Sequence, residues 1–258
     1  MNAQVRLPGI IGGLGPAAHV EFENRLLREG ARRGAQQDQD HLSWVLISAT
    51  GVPERTDALL AEQTAECVHG LAAAARRLLA AGADFAAVPC NTAHALRDDV
   101  MAQAPLPWLD IIDVTCEALK QRYPRNARVL VLSTTGTMRT GLYRKRLIAA
   151  GYEPVEFAPN SSEQARVMGA IFDSEFGIKA TGANVDDRAI ELACEALAKG
   201  GDVACAIAGC TELSIAFALA NELPCEVIDP LDELAVATYD VALGLRPLPE
   251  MLSVARRS

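Results

Sequence analysis

Seven cysteines, Cys67, Cys90, Cys116, Cys194, Cys205, Cys210 and Cys225, form no CxxC pair and no metal-ligand spacing. An odd, unpatterned set argues against both a disulfide framework and a zinc site, so they read as reduced thiols. Two of them stand apart. Cys90 and Cys210 each follow an apolar, strand-like run and precede small polar residues that open a helix, in Pro89-Cys90-Asn91-Thr92 and Gly209-Cys210-Thr211-Glu212. A thiol ionises at about pH 8.5, and lower at a helix N-terminus, so thiol and thiolate can coexist near neutrality. Two such groups flanking a weakly acidic carbon can take a proton from one face and return one to the other, without a metal or an organic cofactor.

The elements that must position them repeat along the chain. The stretch from Leu7 to Gly15 resembles that from Arg128 to Gly136, with Gly15 matched to Gly136, 121 residues on. The stretch from Gly82 to Thr92 resembles that from Gly201 to Thr211, with Cys90 matched to Cys210, 120 residues on. Two pairs at nearly one offset predict two lobes of similar topology, each placing a thiol at the C-terminal end of a strand. Apolar runs predict strands at 7–11, 44–47, 85–88, 108–112, 129–132, 205–208 and 225–228. Helical patterns fall at 17–33, 56–81, 92–103, 114–122, 138–150, 163–176, 186–199 and 231–243. Alternating strands and helices imply an α/β fold with parallel sheets flanked by helices. The expected architecture is two such lobes related by a pseudo-twofold, residues 1–114 plus 227–258 and residues 115–226, with the site in the cleft between them. Ligands bind beyond the C-terminal strand ends of such sheets.

Removing a proton beside a carboxylate builds an enediolate that needs preorganised donors. Asn91, Thr92, Thr211, Thr134 and Thr135 are candidates, all on strand-to-helix loops, while Gly12, Gly13 and Gly15 are expected to let the backbone approach ligand. His94 and Glu212 lie in first helical turns, where they can tune the thiols. The glycine loop does not fit a dinucleotide fingerprint and lacks the lysine of a P-loop.

Composition narrows the partners. Lys and Arg number 24 against 33 Asp and Glu, a net charge of −9, with no basic run carrying interleaved aromatics, so nucleic acid is not expected. An acidic ligand must then be held by local groups such as helix N-termini and individual Arg or Lys. The first 15 residues carry a short apolar run broken by glycines, unlike a signal peptide or a membrane span. A cytoplasmic protein without membrane partners is the expectation.

Taken together, Gly12-Gly13-Leu14-Gly15-Pro16, Val52-Pro53-Glu54-Arg55-Thr56, Pro89-Cys90-Asn91-Thr92-Ala93-His94, Ser133-Thr134-Thr135-Gly136-Thr137 and Ala208-Gly209-Cys210-Thr211-Glu212 resemble the aspartate/glutamate racemase family, in its aspartate racemase branch. The likeness runs from about residue 9 to 244. It implies a two-lobed α/β fold, no metal or cofactor, a homodimer, and an acidic amino acid as the small-molecule substrate. It also implies that Cys90 and Cys210 are the paired acid/base residues and that Arg55 and Lys179 meet the substrate side-chain carboxylate. Departures fall at Ser48-Ala49-Thr50-Gly51, before Val52, and at His19, where the family commonly has Thr; both are expected to bear on side-chain preference if they line the pocket. Racemisation of glutamate or another amino acid, isomerisation or decarboxylation of a related diacid, and a two-lobed small-molecule sensor are the alternatives.

Overall fold

The computed structural model describes residues 5–250. Eight strands alternate with twelve α-helices among the described residues. The first half runs β1 (Pro8–Gly12), α1 (Pro16–Arg32), β2 (Val45–Ser48), α2 (Arg55–Leu60), α3 (Ala65–Ala80), β3 (Phe85–Ala87), α4 (Arg97–Gln103), β4 (Trp108–Leu109) and α5 (Ile111–Arg122). The second runs β5 (Arg128–Leu132), α6 (Thr135–Thr140), α7 (Leu142–Ala150), β6 (Glu153–Val155), α8 (Ser162–Phe172), α9 (Ile178–Thr181), α10 (Asp187–Ala198), β7 (Cys205–Ala208), α11 (Thr211–Leu219), β8 (Val227–Ile228) and α12 (Pro230–Ala242). The strands form two parallel four-stranded sheets of matching order, β2-β1-β3-β4 and β6-β5-β7-β8.

That order places a topological switch point between β1 and β3 in one sheet and between β5 and β7 in the other. The connections leave in opposite directions there, so a crevice opens beyond the strand ends. The glycine loop and Cys90 follow β1 and β3, and Thr134 and Cys210 follow β5 and β7.

Alternating side chains of these strands sort into separate apolar layers. Ile10, Phe85, Ala87 and Leu109 point into one core cluster together with Val129, Val131, Cys205, Ile207 and Ile228 of the second sheet. Their strand neighbours Ile11, Ala86, Val88 and Trp108 face a second cluster behind the first sheet, and Leu130, Leu132, Ala206 and Ala208 face a third behind the second. The period of two along each strand thus divides it between an outer core and one shared by both lobes. Helix α12 packs on α1 and α5 within the shared layer.

Several element boundaries differ from the sequence reading, each for a local reason. The helix expected over 56–81 is two, α2 and α3, separated by a turn with Glu62 at φ 57°. The strand expected to reach residue 112 stops at Leu109, because the Asp110 side chain accepts from Ile112 N–H (2.9 Å) and Asp113 N–H (3.4 Å) and so caps α5. The helix over 138–150 divides at Gly141, which is left-handed at φ 67°. Residues 92–96 form a 3₁₀ turn ahead of α4, so only Cys210, the N-cap of α11, directly precedes an α-helix. The edge strand β6, with Pro154 at its centre, was not expected. Residues 227–228, placed with the first lobe by sequence, pair with β7 in the second sheet.

Between the halves, α6 lies against α2 so closely that a Cβ at Gly136 would sit 2.8 Å from the Thr56 Cα. Because that neighbour is backbone, it has no rotamer by which to yield. Gly136→Ala is expected to lower unfolding free energy by about 1–3 kcal/mol, as overpacking does; urea denaturation measures it, and unchanged stability would mean that the seam is compliant.

Candidate active site

The two switch points face one another across a narrow cleft that is almost closed, with a cavity of only about 10 Å³. Nine of the residues singled out in the sequence line it: Cys90, Asn91 and Thr92 from one β3 loop, Cys210, Thr211 and Glu212 from the equivalent β7 loop, and Arg55, Thr134 and Lys179. Leu14, Glu54 and Phe172 complete the wall and were not anticipated as site residues. Glu54 lay inside a quoted motif. Phe172, a single apolar residue ending a helix, carries no sequence signal of its own.

Gly12, Gly13 and Thr135 are not among the lining residues. A Cβ at Gly12 would meet the His19 ring at 2.8 Å, and one at Gly13 (φ 79°) would meet the Ala49 amide at 2.6 Å. These glycines therefore admit His19 and the β2 loop, not ligand. His19 Nδ1 accepts from Gly13 N–H (3.1 Å), and burial lowers its pKa against the opposing charge of Glu23. Both family departures, at His19 and at 48–51, thus brace the loop from behind. Thr135 turns toward α8, where its N–H donates to Met168 sulfur (3.4 Å) and its hydroxyl accepts from Gln164 Nε2 (3.4 Å).

A buried seam of hydroxyls joins the halves. Thr56 donates to Thr134 (3.1 Å), and Thr92 lies 2.8 Å from Thr137, which is itself 3.2 Å from Thr134. Tyr143 donates to Asn91 Oδ1 (2.6 Å), leaving Asn91 Nδ2 buried without a partner. Thr211 reaches across to the Pro89 carbonyl (3.3 Å).

The thiols have contrasting neighbours. Cys210 Sγ donates to Glu212 Oε2 (3.0 Å). Burial first, and then the Glu212 charge, push the Cys210 thiol well above its ordinary value, with Lys179 opposing. Burial alone would raise Glu212, but Lys179 Nζ, 3.3 Å from Oε1, and the Cys210 hydrogen bond hold it below the usual carboxylate range. The proton of this pair therefore sits on sulfur. Cys90 instead lies beside the Arg55 guanidinium, whose pKa is raised by Cys90 and Glu54 despite the burial that works against it.

Both cations converge on one atom. The Leu14 carbonyl accepts from Arg55 Nη2 and from Lys179 Nζ (3.2 Å). Arg55 Nη1 also donates to Pro53 O (3.1 Å), while its Nε has no partner. Lys179 lies over the Phe172 ring at 5.4 Å and 3.9 Å from Glu54 Oε1. The absent Cβ of Gly15 makes room for Glu212, whose Oε1 would be 2.1 Å from it. The arrangement can hold a small anion between two cations and present two sulfurs to it. Among the described residues no cluster of His, Cys, Asp and Glu could hold a metal ion, and no helix is long and apolar enough to cross a membrane.

Known proteins share this architecture. The chain is similar to the Picrophilus torridus aspartate racemase, with 27% identity and a TM-score of 0.75 over 92% of this chain and 94% of that one. It is similar as well to a putative Asp/Glu racemase from Yersinia pestis, with 26% identity and a TM-score of 0.70 over 92% and 99%. It is 27% identical to the broad specificity amino-acid racemase RacX of Bacillus subtilis over 57% of this chain, a match spanning 63% of that protein, under two thirds of its length. The model of the Asp/Glu/hydantoin racemase family matches residues 11–238, and the chain belongs to that family.

Proposed function

We propose that this protein racemises an acidic amino acid, aspartate foremost, by proton transfer between Cys90 and Cys210 without pyridoxal phosphate or metal. The observation that carries the acidic substrate is the convergence of Arg55 and Lys179 on the Leu14 carbonyl. A carboxylate is a stronger acceptor for the same donors and would take that carbonyl's place. The Picrophilus torridus likeness supports aspartate, while the RacX likeness favours a wider range as the second reading. We extend the proposal to a cytosolic homodimer.

In one direction, Cys90 as thiolate beside Arg55 takes the α-proton. The Cα–H electron pair passes into the substrate carboxylate as an enediolate, and Cys210 delivers its proton to the opposite face of Cα. Cys90 is left as thiol and Cys210 as thiolate, ready for the other enantiomer. Thr92, Thr134, Thr211 and the partnerless Asn91 Nδ2 line the cavity and are the candidates to meet the developing charge. The diacid isomerase, decarboxylase and sensor alternatives receive no specific support from this geometry.

In D2O, product formed from either enantiomer should carry deuterium at Cα. Cys90→Ser and Cys210→Ser should each lower racemisation by about 10²- to 10⁴-fold, the usual worth of a general acid or base; a serine variant that still exchanges at the wild-type rate would sink the assignment. Lys179→Ala should raise KM for aspartate by about 10- to 100-fold, the loss of a charge-assisted hydrogen bond, and should move KM for alanine little. Equal effects on both substrates would count against the acidic reading. Glu212→Gln removes the negative charge that keeps the proton on Cys210. The thiol should then ionise at lower pH, so the alkaline limb of the pH profile, where Cys210 must still be protonated, should move to lower pH; a limb that stays in place or moves upward would refute that role.

A further inference from the structure

Behind Cys90, away from the cavity, lies a histidine the mechanism does not use. His94 is buried, with its ring edge-on to Trp108 at 5.8 Å between centroids. Its hydrogen bonds go to backbone groups and not to the thiol. Its Nδ1 lies 3.0 Å from the Cys90 carbonyl oxygen, and its Nε2 lies 3.3 Å from the Ile111 nitrogen at the start of α5 and 3.4 Å from the Leu109 carbonyl oxygen. The tautomer with hydrogen on Nδ1 donates to the Cys90 carbonyl and accepts from Ile111, whereas hydrogen on Nε2 would meet only the more distant Leu109 carbonyl and leave the Cys90 carbonyl and the Ile111 N–H unmet by the ring. Burial, outweighing Asp110, lowers its pKa and favours the neutral form that this tautomer requires.

The far end of this bridge is rigid. Ile111 is the first residue of α5, and its N–H is one that the Asp110 cap does not cover. Asp110 is held in turn by Arg146 from α7, whose Nη2 lies 2.9 Å from Oδ2, and by Arg97 at 3.4 Å. Arg146 also pairs with Asp113. The near end needs such an anchor: Cys90 sits in an irregular connection between β3 and a 3₁₀ turn, its own N–H bonded back to the Val88 carbonyl (2.8 Å). Regular structure therefore fixes neither side of the peptide that aims the sulfur.

We propose that His94 is a positioning residue for proton transfer, holding the Cys90 carbonyl to the start of α5 so that Sγ keeps its place beside Arg55. It acts through the backbone, never as an acid or base. Cys210 has no counterpart, since it is the N-cap of a regular helix. The inference deepens the racemase reading and rests on it for its kinetic consequences, but not for its effect on the sulfur.

Two conservative variants separate the halves of the bridge. In His94→Asn the side-chain amide reaches the Nδ1 position and can still donate to Cys90, leaving Ile111 unmet. In His94→Gln the amide reaches the Nε2 position and can still accept from Ile111, leaving Cys90 unmet. Each leaves one buried group without a partner, so their structural penalties are comparable, and melting curves check that both are folded. The measurements are racemisation kinetics over a range of pH and the rates at which iodoacetamide alkylates Cys90 and Cys210, read peptide by peptide in a mass spectrometer. His94→Gln should lower kcat by about 10- to 100-fold, the cost of misplacing a reacting group by about 1 Å, with KM little changed. Its Cys90 should alkylate several-fold more slowly, having lost the guanidinium beside it, and its Cys210 at the wild-type rate. His94→Asn should stay close to wild type in both, with an unmoved pH profile. Equal impairment of the two variants, faster alkylation of both cysteines, unchanged Cys90 alkylation in His94→Gln, or a lost acidic limb in His94→Asn would each overturn the proposal. The expected alkylation pattern in a protein that racemises no amino acid would leave the positioning role standing and sink the racemase reading alone.

Discussion

The apolar layer trapped between the two sheets is the constraint on which the rest of the molecule depends. Each central strand gives alternate side chains to this layer and the others to its own outer core, so neither sheet can slip by one residue without exchanging its two faces. Val129 and Val131 pack in the same cluster as Ile10 and Phe85, and α12 closes it against α1 and α5. With the sheets locked this way, the C-terminal ends of β1, β3, β5 and β7 can open only onto one cleft. The polar groups stranded there are costly to bury unless paired. The threonine seam and the Tyr143–Asn91 contact meet that requirement for the hydroxyls across the halves, while Asn91 Nδ2 and Arg55 Nε stay without partners, and this rigidity lets loops from two sheets define one cavity.

Within the cavity the charges are close to balanced. Arg55 and Lys179 face Glu54 and Glu212, and the two cations are tied together by a backbone oxygen. On the proposed reading a ligand carboxylate would displace that oxygen, so binding and rearrangement of the loop after β1 would be one event. Gly13, at φ 79°, gives this loop a conformation that side chains rarely adopt, and His19 holds it from behind. Substitutions at His19 would therefore act on how the loop carries Leu14, not on ligand directly.

Much of this was legible in the sequence, for identifiable reasons. Central strands buried on both faces write continuous apolar runs, and the repeat marked two thiols out of seven. What was missed depends on geometry that a residue type does not encode. A carbonyl such as that of Leu14 exists at every position, so nothing distinguishes the one that bridges two cations. Thr134 and Thr135 are adjacent and chemically alike, yet one faces the cavity and the other α8. The edge strand β6 has a proline at its centre, which reads as a breaker until the edge position makes its missing donor harmless. That His94 points back along its own loop, to the Cys90 carbonyl, is likewise a matter of geometry that its place in a first turn does not reveal.

The two thiols occupy matched positions, and the repeat alone would make them equivalent. Their surroundings are not. One has a guanidinium beside it, which complements a negative sulfur; the other donates to a carboxylate, which keeps its proton on. Proton transfer through a carbon requires that difference, because two thiolates would have nothing to deliver and two thiols nothing to accept with. Environments that push two titratable groups apart are what assign acid and base roles in a site. Here the difference comes from residues outside the repeated strands: Arg55 from α2, Glu212 in the first turn of α11, and Lys179 from α9. Lys179 bonds the Leu14 carbonyl and pairs with Glu212, so a carboxylate that draws it away from Glu212 also changes the charge felt by Cys210. In the proposed reaction, substrate binding and the readiness of the second thiol would thereby be linked through a single ammonium group.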